Sequence, residues 1–275
     1  MDDQEPGIKT FSMTRYEHDA VHQIPDLITL ESPLQIVLRY GPREQRRVTR
    51  LAMTMRTPGQ DAFLTAGYLY TENIIHKKED IVQIRVLREG EILIELAENL
   101  KVDLIHQERN TYVNSSCGIC GKNQLDDIRM TIPFRLDREK PSFRKEHILS
   151  WTDLLSGNQR VFPSTGGIHA AALVSERQVY AIQEDIGRHN AVDKVIGFAL
   201  HHFDFPLKNM AILVSARASF ELVQKALMAG IPLIAAVGAT SSLAIELADE
   251  NDMTLIGFLK SDRFNIYTHK ERIIF

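Results

Sequence analysis

The chain has 275 residues, 44% of them hydrophobic and 25% charged, with a net charge of −4. This balance supplies a globular core and no broad basic field, which argues against generic nucleic-acid or membrane-surface binding and leaves an anionic ligand to a local pocket. No apolar run is long enough to cross a bilayer, and the acidic start Met1-Asp2-Asp3-Gln4-Glu5 lacks a basic region followed by an apolar stretch, so a cytoplasmic location is expected.

In chain order, residues 1–20 read as a flexible arm, 21–140 as a smaller strand-rich domain and 141–275 as a layered α/β domain. Strand-like stretches run from Leu34 to Tyr40 and from Arg47 to Arg56, each closed by a Pro/Gly turn. Asp61 to Tyr70 is amphipathic, with Asp61 as the expected N-cap. Ile81 to Leu87 and Glu91 to Leu96 flank Arg88-Glu89-Gly90, a hairpin signal. The charged, proline-bearing run from Arg135 to Arg144 is the candidate linker.

From His147 the pattern alternates. A helix over His147 to Leu155 precedes a hairpin of His169 to Ser175 and Gln178 to Gln183. Helices are expected over His189 to His201, Phe220 to Ala229 and Ser242 to Glu250. Strands are expected over Met210 to Val214, Pro232 to Val237, Thr254 to Leu259 and Phe264 to Tyr267. Such a series implies an α/β sheet with parallel crossover units.

Cys117 and Cys120 are the only cysteines, spaced C-x-x-C between glycines. In a cytoplasmic protein that pattern points to reactive or metal-binding sulfur rather than a structural disulfide. A zinc half-site would need further ligands from histidines or a second copy of the chain. A redox pair and a persulfide-bearing sulfur carrier are the other readings, and spacing leaves them open.

Other candidates lie where strands lead into helices, the usual ligand edge of an α/β sheet. Ser215-Ala216-Arg217-Ala218-Ser219 and Gly238-Ala239-Thr240-Ser241-Ser242 offer backbone N–H groups, hydroxyls and helix starts suited to phosphate, with Arg217 as a forked donor. The plain alternative is that both are N-caps. Thr165-Gly166-Gly167-Ile168-His169 and Asp185-Ile186-Gly187-Arg188-His189-Asn190 form a second constellation, in which Gly166 and Gly167 permit close approach or positive φ. The bland reading has Asp185 and Asn190 capping a helix and His189 satisfied locally.

Taken together, Ser116-Cys117-Gly118-Ile119-Cys120-Gly121, Thr165 to Ala171, Asp185 to Lys194 and Ser215-Ala216-Arg217 closely resemble the FdhD family of formate dehydrogenase accessory, or sulfur carrier, proteins. The resemblance runs from about Thr57 to the C-terminus, and Asp185 to Lys194 is its most specific block. It implies a cytidine-deaminase-like α/β domain with a smaller strand-rich N-terminal domain. The deaminase zinc signature is missing, since Ala170 and Ala171 follow His169 and the C-x-x-C precedes it, so deamination is not expected and no metal site is assigned.

The implied function is sulfur transfer from a cysteine desulfurase to the molybdenum cofactor, bis-molybdopterin guanine dinucleotide, for formate dehydrogenase. On that reading Cys117 carries the persulfide, Cys120 is the partner thiol, and Lys122 is the nearest cation to favour a thiolate. The family's cofactor-binding segment maps onto Phe258-Leu259-Lys260-Ser261-Asp262-Arg263. Lys260 and Arg263 suit pyrophosphate, while Asp262 is an acidic departure matched to a guanine edge. Ser215, Arg217, Gly166, Gly167, His169, Arg188 and His189 complete the expected cofactor-binding set, for which a guanine nucleotide would be a mimic. A cargo with two nucleotides suggests a homodimer. The competing functions are a cofactor-holding insertion chaperone and a thiol oxidoreductase.

Overall fold

A computed structural model describes residues 7–102, 131–176 and 178–275. Cys117, Cys120 and Lys122 lie outside the described residues. The expected flexible arm is instead strand along most of its length: β1 (Ile8–Glu17) pairs antiparallel with β2 (Ala20–Thr29). His18 and Asp19 turn the chain with φ of 50° and 60°, the left-handed pair of a tight hairpin. Its alternation is hard to read because neither face is extensively buried. The ribbon is anchored at its base, where Ile8 packs with Val161 and Ile168.

Next come β3 (Ser32–Tyr40), β4 (Arg47–Arg56), α1 (Asp61–Thr71), β5 (Ile81–Arg88) and β6 (Glu91–Leu96). The strands form a sheet of order β4-β3-β6-β5 in which only β3 and β6 run parallel. Asp61 is not the cap of α1. Gln60 holds that position with φ 58°, and Asp61 instead grips Arg56 through two 2.8 Å contacts, Nε to Oδ1 and Nη2 to Oδ2. Buried Arg56 also donates to Ser32, which ties the start of α1 to β3 and β4.

The expected linker is pinned rather than loose. Arg272, fully buried, donates to the carbonyl oxygens of Asp137, Lys140 and Asp252 and to Thr254 Oγ1. Beyond it lie β7 (Phe143–Arg144), α2 (Lys145–Asn158), the one-turn α3 (Phe162–Thr165), β8 (His169–Val174), β9 (Val179–Asp185) and α4 (Arg188–His202). They are followed by β10 (Ala211–Val214), α5 (Phe220–Met228), β11 (Leu233–Ala236), α6 (Ser242–Glu250), β12 (Thr254–Gly257), β13 (Asn265–Thr268) and β14 (Ile273–Ile274).

Six strands form the main sheet, in the order β13-β12-β11-β10-β8-β9. The expected parallel crossovers hold for β10, β11 and β12; β8, β9 and β13 are antiparallel additions. Period-two alternation splits the strands between two cores. Ala171, Leu173, Ile212 and Val214 join α1, α4, α5 and the four-stranded sheet, whereas Ala170, Ala172, Ala211 and Leu213 face Trp151 and Leu155 of α2. No helix among the described residues is long and apolar enough to cross a membrane.

Helices α1 and α4 cross at glycines. A Cβ on Gly67 would lie 1.9 Å from Asp193 O, and one on Gly197 would lie 1.9 Å from Phe63 O. Gly197→Ala must therefore push the helices apart, at an expected cost of about 1–3 kcal/mol. Thermal unfolding should show a lowered midpoint, and a midpoint equal to the parent's would mean the crossing tolerates a methyl group.

Candidate functional site

The hairpin β8–β9 pairs His169 with Asp185, so the start of one strand and the end of the other share one sheet edge. Because β8 runs antiparallel to β10, its start also lies beside the carboxyl end of β10, where Ser215 Oγ accepts from Ala170 N and Ser215 N donates to Ala170 O, both at 2.9 Å. The loop after β10 is stitched to the loop after β11 by an Ala218–Thr240 bridge and by Gly238 N donating to Ala216 O at 3.2 Å. Phe258 N then donates to Gly238 O at 2.8 Å, joining the turn after β12. Gly166, Gly167, His169, Arg188, His189, Ser215, Arg217 and the Phe258 to Arg263 turn are thereby gathered along one edge.

Each loop has its own physical cause. Glu184 on β9 accepts from the backbone N–H groups of Arg160, Val161 and Phe162, at 2.8, 3.0 and 3.1 Å, fixing the approach to the Gly166-Gly167 turn. Gly166 has φ 63°, and a Cβ on Gly167 would lie 3.3 Å from Thr29 Oγ1, so turn geometry and the nearby ribbon account for both glycines. Ser241 does cap α6, its Oγ accepting from Ala244 N at 3.3 Å, which is the plain N-cap reading for that loop. Ser219 occupies the same position at α5 and makes no such bond. In the last turn Phe258 adopts φ 53° and is 45% exposed, Leu259 is buried, and Lys260, Ser261, Asp262 and Arg263 are exposed. Arg217 is exposed as well.

The bland reading of Asp185 and Asn190 as helix caps is corrected. Gly187 occupies the cap position of α4, and Asp185 is wholly buried as one half of an ion pair with Lys194, Nζ to Oδ2 at 2.7 Å. Asp185 also accepts from Thr57 N, Gly187 N and Asn190 Nδ2, while Lys194 donates to the carbonyls of Thr57 and Glu184 at 3.0 Å each. These two residues are structural, and they lock the start of α4 against the turn between β4 and α1.

Arg188, His189 and His169 also stand at this edge. Burial, with help from the charges of Arg188 and His189 and against that of Asp185, holds the His169 imidazole below the usual histidine range. His189 Nε2 is buried, has no hydrogen bond among the described residues, and lies 3.8 Å from Glu221 Oε2 on α5, a contact longer than a hydrogen bond. Burial pushes the Glu221 carboxyl up, but the His189 and Ser219 side chains beside it and its own backbone N–H outweigh that and hold the group below the usual carboxylate range. Glu221 was not among the expected site residues. Its signal in the sequence is its place two positions after Ser219, in the first turn of a helix that leaves a ligand-type loop.

This architecture defines an α/β protein whose loops gather at the carboxyl edge of a parallel strand triplet, the edge where such folds usually take ligands. The model for the FdhD/NarQ family matches residues 30–274, extending the resemblance upstream of Thr57. The chain belongs to the FdhD/NarQ family. It is 42% identical to the sulfur carrier protein FdhD of Streptomyces coelicolor over 271 residues, covering 94% of this chain and 93% of that protein. The sulfur carrier protein FdhD of Sulfolobus acidocaldarius is 41% identical over 249 residues, covering 90% and 91% respectively. The crystal structure of a candidate formate dehydrogenase accessory protein from Desulfotalea psychrophila shares the fold, with a TM-score of 0.75 at 22% identity, over 98% of this chain and all of that one. The layered α/β arrangement expected from the family is thus the one observed.

Lys194→Met leaves the Asp185 carboxylate buried without its cation, and removing one partner of such a pair typically costs about 3–5 kcal/mol. Urea unfolding should show a loss of that order. A variant within about 1 kcal/mol of the parent would mean that water or another group solvates Asp185, contrary to its complete burial.

Proposed function

We propose that this chain is a sulfur carrier that takes sulfur from a cysteine desulfurase as a persulfide on Cys117 and passes it to the molybdenum cofactor required by formate dehydrogenase. The observation that carries the reading is the single edge built from four separate segments, which brings the cationic side chains of Arg188, Arg217, Lys260 and Arg263 to one side of the sheet for an anionic, nucleotide-bearing cargo. The relatives' description as sulfur carrier proteins supports the same reading.

The sulfur chemistry is balanced by the two thiols. The desulfurase supplies a zero-valent sulfur to the Cys117 thiolate. Attack of the Cys120 thiolate on the Cys117 sulfur forms a disulfide, breaks the bond to the outer sulfur and releases it, reduced by two electrons, as sulfide for the metal cargo. Arg217, Lys260 and Arg263 would meet pyrophosphate oxygens of the cargo, and Asp262 a guanine edge. A homodimer would provide one nucleotide site per copy for a cargo with two guanine nucleotides, and a monomer in sedimentation analysis with cargo bound would count against that arrangement.

Mass spectrometry after incubation with a cysteine desulfurase and cysteine should reveal one added sulfur atom on the wild-type chain and none on Cys117→Ala. Full activation of formate dehydrogenase by Cys117→Ala would defeat sulfur transfer and favour a chaperone that only holds the cofactor.

A further inference from the structure

Helix α4 presents His189 and Asp193 four residues apart, and α5 presents Glu221 and Lys225 four residues apart. The two helices join through these side chains as two rungs of opposite polarity. The inner rung is buried: Lys225 Nζ lies 2.9 and 3.0 Å from the Asp193 carboxylate oxygens, 2.8 Å from Thr71 Oγ1 and 3.5 Å from Glu72 Oε1 on the α1 side. The outer rung, His189 to Glu221 at 3.8 Å, stands one helical turn nearer the ligand edge, with side chains 12% and 18% exposed.

We infer that Glu221 is a positioning residue, whose carboxylate turns the Nε2 side of the His189 ring toward the α4–α5 interface and so sets the ring beside Arg188 and His169 for anionic groups of the cargo. This inference rests on the preceding reading of the edge as a cargo site. The inner rung makes the alignment rigid, because Asp193 and Lys225 fix the rotation and spacing of the two helices one turn below. A carboxylate placed toward an anion site repels the ligand unless another group stands between them, and His189 is the residue in contact with it. Glu221 therefore acts through His189 and does not itself touch the cargo.

A double-mutant cycle read by GDP binding separates a positioning role from a merely structural one. Glu221→Gln is expected to weaken GDP binding about tenfold in the wild-type background and to change it less than about twofold in a His189→Asn background. Glu221→Asp, which keeps the charge, should recover part of the loss. The His189 ring should give one sharp set of two-bond proton–nitrogen correlations in the parent and exchange-broadened signals in Glu221→Gln. Equal losses of affinity in both backgrounds, or an unchanged ring spectrum, would overturn the positioning role. Failure of the wild-type chain to bind GDP would instead sink the cargo reading, and the ring spectrum would then decide the role of Glu221 alone.

Discussion

The buried Asp185–Lys194 pair is the constraint on which the rest of the edge depends. Two ions removed from water are tolerated only when every remaining lone pair and proton finds a partner. Here Thr57, Gly187, Asn190 and Glu184 supply those partners, from the turn after β4, the start of α4 and the end of β9. The pair therefore does more than join β9 to α4. It fixes the turn after β4 against the first turn of α4, which determines where Arg188 and His189 emerge. Lys194 also reaches the carbonyl of Glu184, whose carboxylate holds the approach to Gly166 and Gly167. One ion pair thus sets two of the loops that border this edge.

The same economy appears where the two sheets meet. Gly67 and Gly197 let α1 and α4 approach to backbone contact, and that proximity places Thr71 and Glu72 around Lys225. Asp193 is held above the usual carboxylate range by its burial, opposed by Lys225 and Thr71, so its charge depends on contacts from both neighbouring helices. The smaller sheet and the α/β layers consequently share one continuous core and a polar centre inside it.

Much of this was legible in the chain. Strand and helix types from Leu34 onward follow from alternation, helical spacing and Pro/Gly punctuation, because those segments bury one face or both. The N-terminal ribbon was not legible, since Phe11, Tyr16 and Val21 stay exposed and the segment lacks the buried face that makes a strand readable. The antiparallel placement of β8 and β13 is likewise invisible in local pattern, which reports strands and not their partners. At the edge, the sequence names the residues that gather there but not which of them are buried and paired. Asp185, Asn190, Asp193 and Lys194 look like ligands by type, and burial makes them supports. The spacing of His189 with Asp193 and of Glu221 with Lys225 is visible in the sequence, whereas the pairing of the two helices is a tertiary fact.

On the proposed cargo reading, that division between exposed and buried groups explains how a chain with a net charge of −4 would offer an anion a favourable edge. Arg217, Lys260 and Arg263 are exposed at the ends of parallel strands, where solvent screens them and each alone would hold an anion weakly. Arg188 and His189 stand at the start of a 15-residue helix whose dipole adds to their effect. His169, biased toward its neutral form by burial, lends the edge a hydrogen-bonding group without another fixed charge. Strength at such an edge comes from several weak cations held at fixed spacing, and the fixed spacing comes from the buried pairs beneath them.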